Sequence, residues 1–477
     1  MLFSTPIFLY GFFPIFFLGY FLISWRRKNA FILAGSLLFY AWGEPIFTFI
    51  AIASALADYA LGDGIAQTRL TNPRQARWLL MLGVFLNLGL LGYFKYTNFF
   101  LKNLCGLLSA FHPISYTPLS ILLPLGVSFI IFEKITYLAD LYRGLGHPAK
   151  KLMDYVTYVF LFPKLLAGPI VKYHDIQDQL NHHQTRREDV AWGLSRFIQG
   201  LAKKTLIADP LNRLCVQAFA IPANQLDTRT AWMVLAAFTL QIYFDFSGYS
   251  DMAIGMARVM GFRLRENFNH PYLASSFTDF WRRWHISLST WIKEYLYIPL
   301  GGNRGPGTQT AFNLLLCFVL CGLWHGAQWT FVIWGLFHGV FLAIDKRFGA
   351  GLARVFPAAL QKALTFFLVA MGWVLFRCPS FPAALYFYSR LFNWSHPTAI
   401  SSARVFIPLN SDYFILGIGF FFILLPAFLP SNAEPWTGIR ESRSPRPLQA
   451  VGLLALLLLS LIQISASSFN PFIYFRF

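Results

Sequence analysis

Apolar runs long enough for a bilayer alternate along the chain with short basic clusters. Residues 5–23 are apolar and end at Arg26, Arg27 and Lys28; the next clusters are Arg69, Arg74 and Arg77, then Arg143, Lys150 and Lys151. About 20 apolar residues cross a hydrocarbon core of about 30 Å, so each interval between clusters can go out and return. The clusters therefore predict loops on one side, the cytoplasmic one. Gly43, Glu44 and Pro45 split the first excursion into two helices, and 78–96 and 117–138 form the second. Residues 152–171, broken by Pro163, Gly168 and Pro169, join two loops of the same side and are predicted to enter the membrane and return. Irregular backbone at that depth survives only inside protein or against a water-filled cavity. Residues 172–204 are polar and read as cytoplasmic.

Further on, 230–256 is apolar, 266–310 mixes polar and aromatic residues, and 311–345 is apolar throughout. As one helix the last run would be about 52 Å long, too long for a single crossing. With Arg304 before it and Lys346 and Arg347 after it, a hairpin with both ends inside is expected. Residues 363–376, 412–429 and 449–466 supply further crossings; 431–447 reads as a Pro-, Ser- and Arg-bearing loop, and no regular repeat is present. The pattern predicts an all-α polytopic integral membrane protein with on the order of ten to twelve crossings plus re-entrant and interfacial helices. It reads as one membrane domain over 1–477: N-terminal helices and a re-entrant segment (1–171), cytoplasmic, interfacial and central segments (172–310), the hairpin (311–345) and C-terminal helices (346–477). The first apolar run has its basic residues after it, the reverse of a signal peptide, and is expected to stay with its N-terminus outside.

Composition agrees. Hydrophobic residues make up 56% and charged ones 13%, where soluble domains carry roughly 25% charge. The balance of 39 Lys+Arg against 21 Asp+Glu gives +18. In a polytopic chain this means basic cytoplasmic loops that attract anionic lipid or an anionic substrate. No basic-aromatic module points to nucleic acid. Cys105, Cys215, Cys317, Cys321 and Cys378 are scattered without a C-x-x-C pair, so neither a disulfide framework nor a metal site is indicated. H-E-x-x-H and G-x-S-x-G are absent; Gly302 and Gly307 have phosphate-loop spacing, but Thr308 stands where the lysine belongs. The His-x4-Asp pattern is missed too, His183 and Glu188 coming nearest.

Ionisable groups within apolar runs are costly and usually functional. His325, in Gly322-Leu323-Trp324-His325-Gly326, lies about 21 Å into the hairpin counted from Ala311. A neutral imidazole there can accept a proton from a hydroxyl; a helix-packing histidine is the competing reading. On one helix, Trp281, Trp284, Leu288 and Trp291 would form a stripe with His285 beside it. Arg282, Arg283, Lys293 and Arg304 then read either as a lipid-surface anchor or as a basic mouth for a phosphate-bearing donor. Asp245 and Asp251 are acids in an apolar segment, able to orient an imidazole or to pair with a buried cation. Glu133, beside Lys134, should pair with another buried group. His174, Asp178 and His182 share a helical face but read as solvated, and His338 as packing.

Phe244-Asp245-Phe246-Ser247-Gly248-Tyr249-Ser250-Asp251, Trp281-Arg282-Arg283-Trp284-His285-Ile286-Ser287-Leu288-Ser289 and Leu323-Trp324-His325-Gly326 resemble the membrane-bound O-acyltransferase family. Residues 122–144, 162–176, 372–377 and the terminal Phe472 to Phe477 match in style, so the resemblance covers nearly the whole chain. It implies a ring of membrane helices around a thin central partition with cytoplasmic and extracytoplasmic funnels. His325 then corresponds to the family's catalytic histidine and His285 to its second signature histidine, with Trp324, Asp245 and Asp251 supporting. It also implies a thioester donor such as acetyl coenzyme A, used as substrate with no permanently bound cofactor. The acceptor implied is an exported polysaccharide such as alginate, cellulose or peptidoglycan, with an extracytoplasmic SGNH-type partner, in the bacterial inner membrane. Lys134 and Lys164 stand where relatives usually carry uncharged residues. A transporter with an Asp245, Asp251 and His325 proton relay is the rival from another class, although no inverted repeat accompanies it; a scaffold for polysaccharide secretion is the third reading.

Overall fold

Prolines and glycines set where the helices begin and end. The structure, a computed structural model, describes residues 1–181, 184–221, 226–393, 408–428, 445–466 and 471–473, and among these every regular element is helical. Six stretches are long and apolar enough to cross a membrane: Pro45–Thr68, Pro73–Leu108, Gly307–His325, Ala358–Arg377, Asn410–Ala427 and Pro447–Ala466. The chain is an all-α polytopic membrane protein. It divides into two compact units, Met1–Leu194 with Ala253–Arg265, and Ser195–Met252 with Glu266–Phe477.

In the first unit, α1 (Pro45–Thr68), α2 (Pro73–Leu91) and α3 (Val127–Arg143) pack together. Pro45 opens α1 at a position where a missing N–H costs nothing. Gly62 and Gly83 let α3 approach, since a Cβ on either would sit 2.4 Å from Tyr137 or Leu138. The expected helix from residue 117 begins only at Val127; Pro118 and Pro124 hold the preceding chain extended, and Gly126 turns it in at φ +74°. Residues 152–171 form a helix over Leu152–Phe160 and one further turn over Phe162–Leu165, and both this turn and the irregular backbone after it are enclosed by protein, with Phe162, Lys164 and Ala167 fully buried.

Four buried charges in this unit, Asp58, Lys134, Glu133 and Lys164, form two ion pairs. Lys134 Nζ lies 2.9 Å from Asp58 Oδ2 and donates to Ser54 at 2.5 Å, while Asn87 donates to both Asp58 oxygens. Glu133 binds Lys164 and accepts from Val171 N–H. Removing one partner from such a pair typically costs about 3–5 kcal/mol, because the other charge is left buried. His174 Nδ1 lies 2.6 Å from Asp140 and Asp178 is exposed, while His182 lies outside the described residues. Among the described residues no cluster of three metal-ligating side chains occurs.

The second unit holds α4 (Thr228–Val259) up to Met252, α5 (Phe277–Arg283), α6 (Ile286–Ile292), α7 (Gly307–His325), α8 (Trp329–Val355) and α9 (Ala358–Arg377). The long apolar run is a helical pair, α7 and α8, broken at 326–328. Their backbones nearly touch: a Cβ at Gly322 would lie 2.1 Å from Phe331 O, and one at Gly335 2.1 Å from Phe318 O. In lipid, where apolar burial does not drive helices together, such close approach supplies the packing.

The tryptophan stripe is not one helix. The chain breaks between α5 and α6 at His285, which has φ +44°, and Trp281, Trp284 and Trp291 are buried in protein. Asn267 causes the break: its carbonyl accepts from Ile286 N–H at 3.0 Å and its side-chain oxygen from Ser287 N–H at 3.1 Å. A side-chain amide that satisfies backbone donors competes with helix continuation.

Candidate active site

His325 is the last residue of α7 and is 4% exposed. Its ring packs against Trp324 at 4.9 Å, Trp334 at 5.1 Å and Phe376 at 5.2 Å between centroids. Trp324 also approaches His285, at 6.1 Å, so both predicted histidines belong to one aromatic cluster. His285 is fully buried and stacks edge-on against Phe246 at 4.6 Å.

The hydrogen bonds of His285 fix its tautomer. Ser287 N–H can only donate, so the Asn267 atom that receives it is the oxygen. His285 Nδ1 lies 3.2 Å from that same oxygen and must carry its own hydrogen. Nε2 is then the ring's acceptor. Burial pulls the imidazole down from 6.5 to about 3, so His285 is neutral at physiological pH.

Asp245 and Asp251 do not reach the histidines. Asp245 pairs with Lys204 at 3.0 Å and accepts Ile473 N–H at 2.8 Å. Asp251 binds Arg196 at 2.7 Å and Lys203 at 2.6 Å. These are buried ion pairs that tie α4 to the segment at 196–204.

The four predicted donor-binding cations separate. Arg282 and Lys293 line a cavity of about 370 Å³ between α5, α6, α7 and α8, together with Lys346, which sequence reasoning had used only to mark a loop. Arg283 turns away and pairs with Asp279 at 2.7 Å. Arg304 is exposed on a turn shaped by Gly301 and Gly302, both at positive φ. The deepest α7 residue on the cavity wall is Cys321, one helical turn before His325.

A second cavity, of about 180 Å³, lies just past His325 in the chain and is lined by Gln241, Gln328, Phe331, Phe376 and Arg377. Phe376 is thus a wall of this cavity and also a ring packed on His325. Gln241 and Arg377 lie in stretches that match the family in style, but no sequence pattern gave them or Gln328 a role, because they converge from three distant segments. A basic cavity and a polar cavity, each with a wall residue that adjoins His325 along the helix or packs on its ring, suit transfer between an anionic donor and a polar acceptor.

Comparison with known proteins points the same way. The sequence profile described as MBOAT, membrane-bound O-acyltransferase family, matches residues 96–388. The chain is 38% identical to the probable alginate O-acetylase AlgI of Azotobacter vinelandii, over 100% of both chains. It is 44% identical to the probable alginate O-acetylase AlgI of Pseudomonas aeruginosa, covering 83% of this chain and 75% of the relative. It is also 37% identical to the peptidoglycan O-acetyltransferase of Helicobacter pylori, covering 81% and 78%. With the signature histidines in one cluster and a match of this extent, the chain belongs to the membrane-bound O-acyltransferase family and is an acyltransferase of the membrane.

Proposed function

We propose that the protein is an O-acetyltransferase that takes an acetyl group from acetyl coenzyme A on the cytoplasmic side and passes it toward an exported polysaccharide. The observation that carries this reading is that His325 ends the helix whose Cys317 and Cys321 line the basic cavity with Arg282, Lys293 and Lys346, and that its ring packs on Phe376, a wall of the polar cavity with Gln241, Gln328 and Arg377. The three cations suit the phosphates of coenzyme A. The basic residues around Arg304 and Lys346 support a cytoplasmic place for that end of the hairpin. The relatives' names favour alginate or peptidoglycan as the class of acceptor, and an extracytoplasmic SGNH-type protein is the partner proposed to work beside it.

In the reaction, His325 takes the proton of the attacking hydroxyl as its oxygen forms a bond to the thioester carbon. The carbon–sulfur bond then breaks and the leaving thiolate receives that proton. The thioester is already activated, so holding the two reactants in line suffices and no covalent enzyme intermediate is needed. His285, anchored by Asn267 with Nε2 as acceptor, helps orient the donor, and Trp324 packs on both rings.

The transporter reading loses its relay, because Asp245 and Asp251 are neutralised by lysine and arginine. The test uses purified protein in lipid nanodiscs with labelled acetyl coenzyme A and mannuronate oligomers. The expected result is acceptor-dependent thioester cleavage that falls by at least about 10²-fold in His325→Ala. An undiminished rate in that variant would remove His325 from the chemistry.

A further inference from the structure

Among the described residues, three nitrogen donors in the aromatic core around α8 make no hydrogen bond: Trp334 Nε1, Trp373 Nε1 and His338 Nε2. The last is a donor because Trp281 Nε1, which can only donate, gives its hydrogen to His338 Nδ1 at 3.2 Å. Each of the three residues is at most 1% exposed. Buried donors are almost always satisfied, so such a cluster in a native core calls for a reason.

Of the three, only Trp334 packs on His325, with its ring perpendicular at 90° and 5.1 Å away. It also touches a wall of each cavity: Trp281 of the basic one at 5.8 Å and Phe376 of the polar one at 5.2 Å. Trp334 lines neither cavity itself, but by these contacts it stands beside the imidazole at which the proposed transfer brings donor carbonyl and acceptor hydroxyl together. The reaction needs a hydrogen-bond donor for the carbonyl oxygen, which becomes an alkoxide when the hydroxyl adds. His285 does not fill that role, since its hydrogen is on Nδ1 and committed to Asn267.

We infer that the indole N–H of Trp334 donates to the thioester carbonyl oxygen as that oxygen takes on negative charge. The inference rests on the transfer proposed above. The oxygen accepts the N–H when the C–O bond forms, and the hydrogen bond weakens again when the C–S bond breaks and the carbonyl is restored. The indole N–H is never ionised. Trp334 is pre-positioned for this by its packing against Trp281, His338, Trp373 and Phe376, so the transition state gains the bond without reorganisation.

The test replaces Trp334 by benzothienylalanine, which keeps the outline of the ring and puts sulfur in place of N–H, alongside Trp334→Phe. Both are assayed in nanodiscs with acetyl coenzyme A and mannuronate oligomers, and again with dithioacetyl coenzyme A, whose C=S accepts hydrogen bonds poorly. The expected result is a kcat lower by about 10²–10³-fold with acetyl coenzyme A, whose C=O is a good acceptor. The KM should be unchanged, and the difference from wild type nearly absent with the dithioester. A wild-type kcat in the isostere, or an equal loss with both donors, would overturn the assignment. A parallel His325→Ala protein separates the two readings. If it is inactive while the isostere is fully active, this inference alone falls; if it is itself fully active, the proposed transfer falls with it. Should the variants not fold, the wild-type structure with S-acetonyl coenzyme A decides. Its ketone oxygen should lie within about 2.7–3.2 Å of Trp334 Nε1, and a position against any other donor contradicts the proposal.

Discussion

A histidine in the left-handed region of backbone space is strained, and His285 holds that conformation because Asn267 ties down both its side chain and the following residue. Its buried ring titrates near 3, whereas an unfolded histidine titrates near 6.5. As pH falls from 6.5 toward 3 the unfolded chain binds a proton that the folded ring does not, so stability declines through that window. His285→Asn suits the left-handed backbone and carries no titrating group. Thermal unfolding of this variant between pH 7 and 4 should show a shallower acid slope than wild type. An unchanged slope would assign the acid sensitivity elsewhere. At this scale, His325 was legible because an ionisable ring among apolar neighbours stands out wherever the helix places it. Asn267 was not, since its role depends on meeting residues 18 and 20 positions further on.

The helical pair of α7 and α8 was readable from length alone: a 35-residue apolar run cannot cross once and must turn back. The single tryptophan helix failed because periodicity describes what a segment would do unopposed, while Asn267 offers its backbone a competing set of bonds. The same fold-back explains the fate of the four cations. Arg282 and Lys293 stay on the cavity wall, Arg283 is drawn to Asp279 one turn away, and the turn at Gly301 and Gly302 exposes Arg304. Close backbone contact at Gly335 and Gly322 fixes where α7 ends and hence where His325 sits. Gly335→Ala forces a methyl group against Phe318 O, a backbone atom unable to move aside by a rotamer change. A loss of about 1–3 kcal/mol is expected, together with reduced transfer. A melting temperature in detergent equal to wild type would show that the helices have room to spare.

On the scale of the whole chain, the 39 basic and 21 acidic residues divide between loops and buried pairs. The loops are expected on the cytoplasmic side by the positive-inside rule. The pairs could not be read from sequence, because Lys203 and Lys204 meet Asp251 and Asp245 across more than 40 positions of chain, and Lys134 meets Asp58 across more than 70. Lys134 and Lys164, unusual by comparison with the family pattern, are neutralised by Asp58 and Glu133 inside the first unit, whereas His325, His285 and both cavities belong to the second. The central claim is that one imidazole carries acetyl transfer from one face of the membrane to the other. Proteoliposomes test it most directly, in vesicles with the cytoplasmic face inward, labelled acetyl coenzyme A sealed inside and mannuronate oligomers outside. Wild-type protein should place the label on the outer oligomers without release of coenzyme A thioester, and His325→Ala should not. Label appearing outside as intact acetyl coenzyme A, or equal acetylation by both proteins, would contradict it.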